Sequence, residues 1–223
     1  FLKRHYKEYE DMTFVSAGLQ SAGRGRNNRR WSASKGKNLT FSLLIKDKEV
    51  MEAYQALSVV SAYSIVKTLE AYGIKDLKIK WPNDVYVKDA KICGILLEGV
   101  SVKEMECLII GIGLNVNEEV FEKDLLHEAV SMKLVLNRSV DLQDLKEKVY
   151  RDLCDYIEKV KKKTDLYPEI GNYDYLKGKS AYCKINGFDQ KIEVIGIDED
   201  YSLKVICDNQ IMNLSSSEVT FHL

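Results

Sequence analysis

The sequence is short of several features that would point to large classes of protein. Its 223 residues carry a net charge of only −1, so no overall excess of charge attracts the chain to nucleic acid or to an anionic membrane. No apolar run is long enough to cross a bilayer, and the first residues show no signal-peptide pattern. The composition therefore predicts a soluble protein with no membrane partner, in which anion binding depends on a local cluster of charge.

Cysteine is too sparse for a disulfide framework, and its spacing fits no zinc site. The five cysteines are an odd number, and several lie within apolar runs, at positions 93, 107, 154, 183 and 207. This pattern is typical of buried, reduced thiols and predicts a cytoplasmic protein. No G-x-G-x-x-G fingerprint or phosphate-loop motif is present. The chain begins with Phe1 rather than methionine, so we expect the natural N-terminus to be absent.

The hydrophobic periodicity predicts an α+β protein with a mixed β-sheet. It indicates one long helix over about 49–72 with Gly73 just after it, and a second over about 142–162 with Asp141 as its N-cap. Alternation of apolar residues with Lys78 and Lys80 indicates a strand with one solvated face. From about residue 176 onward, short alternating strands predict a small five-stranded β-barrel. We therefore expect two domains, 1–175 and 176–223.

One loop concentrates positive charge. The stretch SAGRGRNNRRWSASKGKN, residues 21–38, contains four arginines within seven positions and one of only two tryptophans in the chain. Arginine binds carboxylates and phosphates in a bidentate manner, glycine lets the backbone bend closely around a ligand, and Trp31 offers a stacking face. A small nucleotide ligand and an RNA both fit this pattern. The glycines and asparagines of 23–28 suggest a loop that is mobile when empty and closes over a ligand.

Three further stretches carry polar groups at strand ends, where sheets present binding residues. KIKWPNDVYV groups Lys80, Trp81, Asn83 and Asp84, although its Pro-Asn-Asp segment is also a favourable turn. AKICGILLE places Lys91 between a turn and an apolar strand, where a lysine is ordinarily only solvated. In GIGLN, residues 111–115, the glycines suit either close packing of a neighbour or contact with a flat ligand.

The motifs GRGRNNRRW, KWPNDVYV, KICGILLE and GIGLNV, in this order and at about these spacings, resemble the biotin protein ligases. The resemblance extends over nearly the whole chain, and its first two motifs are the most specific. It implies a class II aminoacyl-tRNA synthetase-like catalytic fold followed by an SH3-like β-barrel. It also implies an enzyme that converts biotin and ATP to biotinyl-5′-AMP with Mg²⁺ and then biotinylates a lysine of a biotin carboxyl carrier protein.

The resemblance assigns roles to individual residues. Lys91 and Arg26 are the expected catalytic residues, and Lys91 would bridge the biotin carboxylate and the phosphate. The biotin site would comprise Gln20, Arg24, Gly25, Arg26, Lys91, Gly111 and Gly113, with the two last glycines against the ureido ring. The ATP site would comprise Arg29, Trp31, Lys80, Asn83, Asp84 and Asn115. Asn83 or Asp84 would help to hold Mg²⁺.

Two departures and two alternatives accompany this interpretation. The Ser/Thr-Thr-Asn motif that usually precedes the first helix is missing from the given residues, and nothing in them matches the winged-helix DNA-binding domain of bifunctional members. We therefore expect a ligase that does not bind DNA. Members of the family often assemble as homodimers. A lipoate–protein ligase is the nearest alternative, although its R-R-x-G-G-G stretch is absent. A nucleic-acid-binding module is the alternative from another class.

Overall fold

A computed structural model describes residues 1–26, 29–121, 128–185 and 187–216, and the backbone of 219–222. Six strands form the larger sheet in the order β1-β4-β8-β7-β6-β5. They are β1 Phe14–Ala17, β4 Leu39–Ile45, β5 Leu77–Lys80, β6 Asp84–Val87, β7 Ala90–Ser101 and β8 Met105–Leu114. Strands β2 Gly23–Arg24 and β3 Arg30–Trp31 form a separate two-stranded ribbon. The α+β class predicted from the sequence is confirmed.

The larger sheet is antiparallel between all of its named strands, so the prediction of a mixed sheet is wrong. Strands β5, β6, β7 and β8 follow one another through short turns, and a short turn can join only antiparallel neighbours. Parallel pairing within the described residues is confined to isolated bridges, Ile79 with Asp174 and Lys91 with Ala129. The second bridge lays the backbone of 128–130 along the start of β7.

Six helices are described: α1 Leu2–His5, α2 Lys48–Glu52, α3 Tyr54–Ala71, α4 Met132–Leu136, α5 Leu142–Lys161 and α6 Tyr167–Ile170. Short 3₁₀ turns occupy Tyr6–Glu8 and Gly171–Tyr173. The predicted helix over 49–72 is real but divided, because the backbone of Ala53 turns between α2 and α3. Gly73 follows α3 with a φ of 90°, as expected for a glycine that ends a helix.

Helix α5 confirms its predicted cap and apolar face. The Asp141 carboxylate accepts hydrogen bonds from the Gln143 and Asp144 N–H groups at 2.8 and 2.9 Å. Such a cap contributes about 1 kcal/mol. Leu145, Val149 and Leu153 are buried, and each contributes about 1.5–3 kcal/mol of burial free energy. The helix packs against α3, which is buried along most of its length beneath the sheet.

The two faces of the larger sheet have different partners. Alternate residues of β8, Ile110 and Ile112, join the main core with α3 and α5, whereas Cys107 and Ile109 join a small cluster with α1. Because side chains alternate along a strand, Gly111 and Gly113 continue the second face. Their lack of side chains leaves a hollow on the side of the sheet away from the long helices.

The C-terminal module is a five-stranded antiparallel sheet, in the order β12-β11-β10-β9-β13. Its strands are β9 Ser180–Ile185, β10 Phe188–Ile197, β11 Leu203–Cys207, β12 Gln210–Leu214 and β13 Val219–His222. Five strands were predicted, but the closed barrel was not correct, because β12 and β13 are the two edges of the order. Residue 186, between β9 and β10, lies outside the described residues.

The short connection from β12 to β13 limits how flat the open C-terminal sheet can be. A flat five-stranded sheet separates its edge strands by about 19 Å, at 4.8 Å per strand. The five-residue step from Leu214 to Val219 spans at most about 17 Å when fully extended. The sheet must therefore bend to bring its edges together. A register shift near Gly196 in β10 marks a point where such a bend occurs.

The C-terminal module contacts the end of β5. The Trp81 indole N–H donates to the Tyr201 carbonyl at 2.9 Å, and the Tyr175 N–H donates to the Ile79 carbonyl at 2.9 Å. The nearly buried Asp174 carboxylate accepts from the N–H groups of Leu176 and Ile197. These contacts fix the module against the strand that leads into the Lys-Trp-Pro-Asn-Asp motif. The domain boundary at residue 175 stays a prediction.

The helices and the cysteines bear on the expectations of no membrane partner and of buried, reduced thiols. None of the helices within the described ranges is long and apolar enough to cross a membrane. The five cysteines are free thiols, four of them buried and Cys154 partly so. Burial raises the pKa of the Cys183 thiol to about 11, so this group stays protonated at neutral pH.

Candidate active site

All thirteen side chains and glycines predicted as site residues line one cavity of about 840 Å³. The cavity lies between the β2–β3 ribbon and the glycine-bearing face of the larger sheet. Its predicted residues come from four separate segments of the chain: Gln20, Arg24, Gly25, Arg26, Arg29, Trp31, Lys80, Asn83, Asp84, Lys91, Gly111, Gly113 and Asn115. The fold therefore brings together the positions that the motifs single out.

The basic loop forms a tight ribbon over the cavity. Gly23 pairs with Trp31 and Arg24 with Arg30, and the Gly25 N–H donates to the Arg29 carbonyl at 2.7 Å. A Cβ on Gly23 would lie only 2.3 Å from the Trp31 carbonyl oxygen, so this position requires glycine. Positions 27 and 28, whose asparagines were part of the mobile-loop hypothesis, lie outside the described residues.

The Trp31 indole lies directly against the glycines of the sheet. A Cβ on Gly113 would lie 2.3 Å from the Trp31 Cε2 atom, and a Cβ on Gly94 would lie 3.2 Å from its Cζ3 atom. Gly113 therefore contacts the tryptophan rather than presenting a bare surface to a ligand, contrary to the expected contact with a ureido ring. Gly111 has more room, since its Cβ would meet no atom closer than 3.5 Å. The Trp31 indole N–H is buried with no acceptor among the described residues.

Lys91 and Asp84 form the ion pair at the centre of the cavity wall. The Lys91 Nζ atom lies 2.8 Å from Asp84 Oδ1 and 5.9 Å from the centre of the Trp31 ring. Asp84 opens β6 and pairs with Gly94 of β7, which lets the lysine side chain fold back across the glycine. Lys91 is thus held beside both Asp84 and Trp31, where its ammonium can reach a carboxylate or phosphate of a ligand bound in the cavity.

Arg26 joins three parts of the molecule. Its guanidinium donates to Asn83 Oδ1 at 3.4 Å and to the Ser216 carbonyl at 2.5 Å. Asn83 is itself fixed, because its amide donates to the Ile95 carbonyl at 2.7 Å. Burial lowers the pKa of Arg26, and Arg29 adds to that effect while Asp84 opposes it. The guanidinium remains charged at neutral pH, since arginine begins from a very high pKa.

Lys80 is buried, so the predicted solvated face of β5 is wrong at this position. Only 7% of the residue is exposed, because the C-terminal module and Tyr86 cover the end of the strand. Burial lowers the pKa of Lys80 to about 8, an effect that Asp84 opposes and that Lys91, Arg29 and Lys179 reinforce. Its Nζ atom lies 5.3 Å from the centre of the Tyr86 ring.

Asn115 directly follows β8 at the cavity and is buried. Its side-chain amide donates to the Val130 carbonyl at 3.1 Å, and its own carbonyl accepts from the Met132 N–H. Gln20 lies at the opposite end of the ribbon, with Oε1 only 3.0 Å from the position of a Gly23 Cβ. Both amides line the cavity, and that of Asn115 is held by these hydrogen bonds.

Two glutamates that were not predicted hold the loop in place. Glu98 pairs with Lys3 at 2.7 Å and with Arg24 at 3.3 Å, so the Arg24 guanidinium is engaged by β7. Glu118 accepts from the Ser34 N–H, the Asn38 amide and the Lys37 ammonium. Glu98 ends the KICGILLE motif, but only the fold shows that its partners come from two distant segments.

The cavity combines several cations with few compensating acids. Arg26, Arg29, Lys80 and Lys91 line it, and Asp84 is the acid of the predicted set. Such a surface suits a ligand with a carboxylate or phosphates, while Trp31 and the glycines suit a planar group. Within the described residues, no group of three or more His, Cys, Asp or Glu side chains is arranged to hold a metal ion by itself.

The comparisons with known proteins agree with these observations. The family model described as "Biotin/lipoate A/B protein ligase family" matches residues 1–115. The bifunctional ligase/repressor BirA of Bacillus spizizenii is 33% identical over 132 residues, which cover 58% of this chain and 41% of that protein. The biotin–[acetyl-CoA-carboxylase] ligase of Paracoccus denitrificans is 38% identical over 105 residues, 46% of this chain and 43% of that protein.

A solved structure matches nearly the whole chain. The biotin protein ligase from Aquifex aeolicus in complex with biotin and ATP superimposes with a TM-score of 0.86 at 25% identity, covering 99% of this chain and 94% of that one. The match includes the C-terminal module. The two curated relatives are longer, and the chain spans less than half of each.

Proposed function

The chain belongs to the biotin/lipoate A/B protein ligase family, and from this membership we propose that it is an ATP-dependent biotin–protein ligase. It would activate biotin as biotinyl-5′-AMP and then transfer the biotinyl group to a lysine of a biotin carboxyl carrier protein. The observation that carries the proposal is the convergence of thirteen positions, from four separate segments of the chain, on one cavity. The names of the relatives favour biotin over lipoate as the acid.

The first step joins two anions, so the site must offset their repulsion. A carboxylate oxygen of biotin attacks the α-phosphorus of ATP, and the bond from that phosphorus to the bridging oxygen of the β-phosphate breaks. Pyrophosphate leaves with the bonding electrons. Lys91 is the group positioned to contact both the carboxylate and the α-phosphate once it exchanges its contact with Asp84 for the ligand. Arg26, fixed by Asn83 and Ser216, supports the same charge from the ribbon side.

The nucleotide would lie towards Trp31 and Asn115. The indole is seated on Gly113 and Gly94, which leaves its opposite face for a base, and its buried N–H is ready for an acceptor. Arg29 and Lys80 would face the phosphates. Gln20, Arg24, Gly25 and Gly111 would complete the biotin end, with Gly111 leaving space for the ureido ring.

Mg²⁺ accompanies ATP in this chemistry and would help to neutralise the phosphates. Of the two predicted ligands, Asp84 fits better, because it supplies a carboxylate at the cavity wall whereas the Asn83 oxygen already accepts from Arg26. Since Mg²⁺ is usually held by one or two carboxylates together with the substrate phosphates, a single acid suffices.

The second step needs an amine from another protein. The ε-amino group of the carrier lysine attacks the acyl carbon, the bond from that carbon to the AMP oxygen breaks, and the amine loses a proton. The β2–β3 ribbon would shield the reactive anhydride from water until the carrier arrives. The reduced cysteines suit the cytoplasm, where the carrier would be found, and a homodimer remains part of the proposal.

The proposed function is tested by ATP–pyrophosphate exchange with biotin, lipoate or RNA added separately. We expect radiolabel from pyrophosphate to enter ATP only when biotin is present, because exchange requires reversible formation of an acyl-adenylate. Exchange driven by lipoate would make the chain a lipoate ligase. Absence of exchange together with binding of RNA would replace the enzyme with a nucleic-acid-binding module.

The buried Lys80 predicts a pH dependence of nucleotide binding. Its pKa is lowered to about 8, so the ammonium is charged below that pH and loses its charge as the pH rises through it. We expect the KM for ATP to rise between pH 7.5 and 9 in the wild-type protein. In Lys80→Met, which has a similar volume and no charge, the KM should be higher and constant over this interval. Parallel profiles for both proteins would contradict the assignment of Lys80 to the phosphates.

A further inference from the structure

A second cavity of about 240 Å³ adjoins the first beside Lys80. It lies between the larger sheet and the C-terminal module, and it is lined by Lys80, Tyr86, Asp89, Glu128, Tyr175, Leu176, Lys179, Ser180 and Ala181. Lys80 belongs to the walls of both cavities, and Glu128 and Ala129 continue one wall from the second to the first. No motif of the sequence pointed to this space, because five of its nine lining residues come from 175–181.

The Lys80 ammonium lacks the partner that its burial calls for. The residue is 93% buried, yet within the described part of the chain no acceptor lies within hydrogen-bond or ion-pair distance of its Nζ atom. Burying a charge is costly unless an opposite charge lies close to it, so an anion bound in either cavity would stabilise this ammonium. Its position between the two cavities gives that ligand two ways to approach.

The surroundings of Lys80 favour an anion. Three other cations, Lys91, Arg29 and Lys179, are near enough to lower its pKa, and Asp84 is the acid that opposes them. Asp84 is already paired with Lys91. A cationic ligand, such as the ammonium of an acceptor lysine, would meet this repulsion and is therefore disfavoured.

The walls of the second cavity include two stacked tyrosine rings, each with a lysine ammonium over it. Tyr86 and Tyr175 stack with their centres 5.0 Å apart, and Lys179 lies 3.4 Å from the centre of the Tyr175 ring. The Lys80 Nζ atom lies over the Tyr86 ring, 5.3 Å from its centre. The lining also holds two carboxylates, Glu128 and Asp89, and Asp89 accepts a hydrogen bond from the Tyr175 hydroxyl at 3.1 Å. A lysine thus stands at each end of the space.

We propose that the second cavity is a binding site for inorganic pyrophosphate, held between Lys80 and Lys179. The site would receive the leaving group of the adenylation step and let it depart through the junction with the C-terminal module. The inference rests on the proposed function for its role, although the binding site itself does not. The cavity, at about 240 Å³, has room for a pyrophosphate with a few waters.

The chemistry gives this site a purpose. When the bond between the α-phosphorus and its bridging oxygen breaks, pyrophosphate takes the electron pair and must leave while the adenylate stays. The β2–β3 ribbon forms one wall of the first cavity, and the adenylate would fill the space between this ribbon and the sheet. A lateral site next to Lys80 separates the two products without opening the ribbon, which would expose the anhydride to water.

The test is a titration of the protein with inorganic pyrophosphate at low ionic strength, followed by calorimetry, with sulfate as the control anion. Lys179→Glu reverses the charge of an exposed side chain at the cavity, and Lys177→Glu makes the same change two residues away, outside the lining. We expect the first variant to weaken pyrophosphate binding about tenfold or more, because it removes a charged hydrogen-bond donor. The second should stay within about twofold of wild type.

The kinetic counterpart is the KM for pyrophosphate in ATP–pyrophosphate exchange. It should rise by a similar factor in Lys179→Glu, with the KM for biotin unchanged. Equal pyrophosphate affinities in the wild type and both variants would overturn the proposal, as would a wild-type protein that binds pyrophosphate no better than sulfate. The titration contains no biotin, so a chain that fails to activate biotin but binds pyrophosphate through Lys179 would refute the proposed function alone.

Discussion

Replacing Lys91 with alanine is expected to lower the rate of adenylate formation by several orders of magnitude while the fold remains intact. The ammonium lies 2.8 Å from Asp84 at the cavity wall and is the group proposed to bridge the carboxylate and the α-phosphate. Loss of one such charge-stabilising group typically costs about 10² to 10³ in rate, and loss of positioning adds to this. The measurement is a single-turnover assay of biotinyl-5′-AMP under saturating biotin and ATP.

The matched control is Lys75→Ala, which removes an exposed lysine outside the cavity. Its rate should equal that of wild type. Circular dichroism and thermal unfolding should agree for all three proteins, since Lys91 is partly exposed and its removal leaves no apolar void. A Lys91→Ala protein that forms adenylate at a near-normal rate would remove Lys91 from the mechanism.

The second large effect is expected from Gly113→Ala. An added Cβ would lie 2.3 Å from the Trp31 ring, which is closer than non-bonded carbon atoms can approach. The indole must therefore move away from the sheet. Overpacking of this kind costs about 1–3 kcal/mol, and a displaced indole no longer offers its face to the base. We expect the KM for ATP to rise at least about tenfold, measured by initial rates of adenylate formation.

Gly99→Ala is the control for this prediction. It adds the same methyl group to the neighbouring strand β7, where the nearest atom would lie at an ordinary 3.7 Å. Its kinetics should match those of wild type. If Gly113→Ala also behaves like wild type, the seating of Trp31 on the sheet has no part in nucleotide binding.

Local chemistry made parts of the fold predictable. The carboxylate of Asp141 caps α5, and Gly73 ends α3 with a positive φ, because both features depend on a few neighbouring residues. The sheet was less predictable. The strand that contains Lys78 and Lys80 was identified, but the antiparallel order of the sheet follows from which turns are short enough to join neighbours. Whether the C-terminal sheet closes depends on whether its two edge strands pair with each other.

The candidate site was predictable in its members but not in their contacts. The quoted motifs contain every predicted residue of the cavity except Gln20, since close binding of a charged planar ligand requires unusual local residue combinations. Three features of the site depend on contacts between segments far apart in the chain. They are the packing of Trp31 on Gly113, the hydrogen bond from Arg26 to Ser216 and the burial of Lys80. Periodicity placed Lys80 on a solvated face because it takes no account of a module that begins about 100 residues later.

The central claim is that the cavity directs a carboxylate to the α-phosphate of ATP, and isotope transfer tests it most directly. Biotin labelled with ¹⁸O in its carboxylate would be turned over with ATP and hydroxylamine as the acceptor amine, and the products analysed by mass spectrometry. We predict one ¹⁸O atom in AMP and none in pyrophosphate, because the carboxylate oxygen stays on the α-phosphorus when the acyl bond breaks. Label in inorganic phosphate with formation of ADP, or turnover without labelled AMP, would contradict the account.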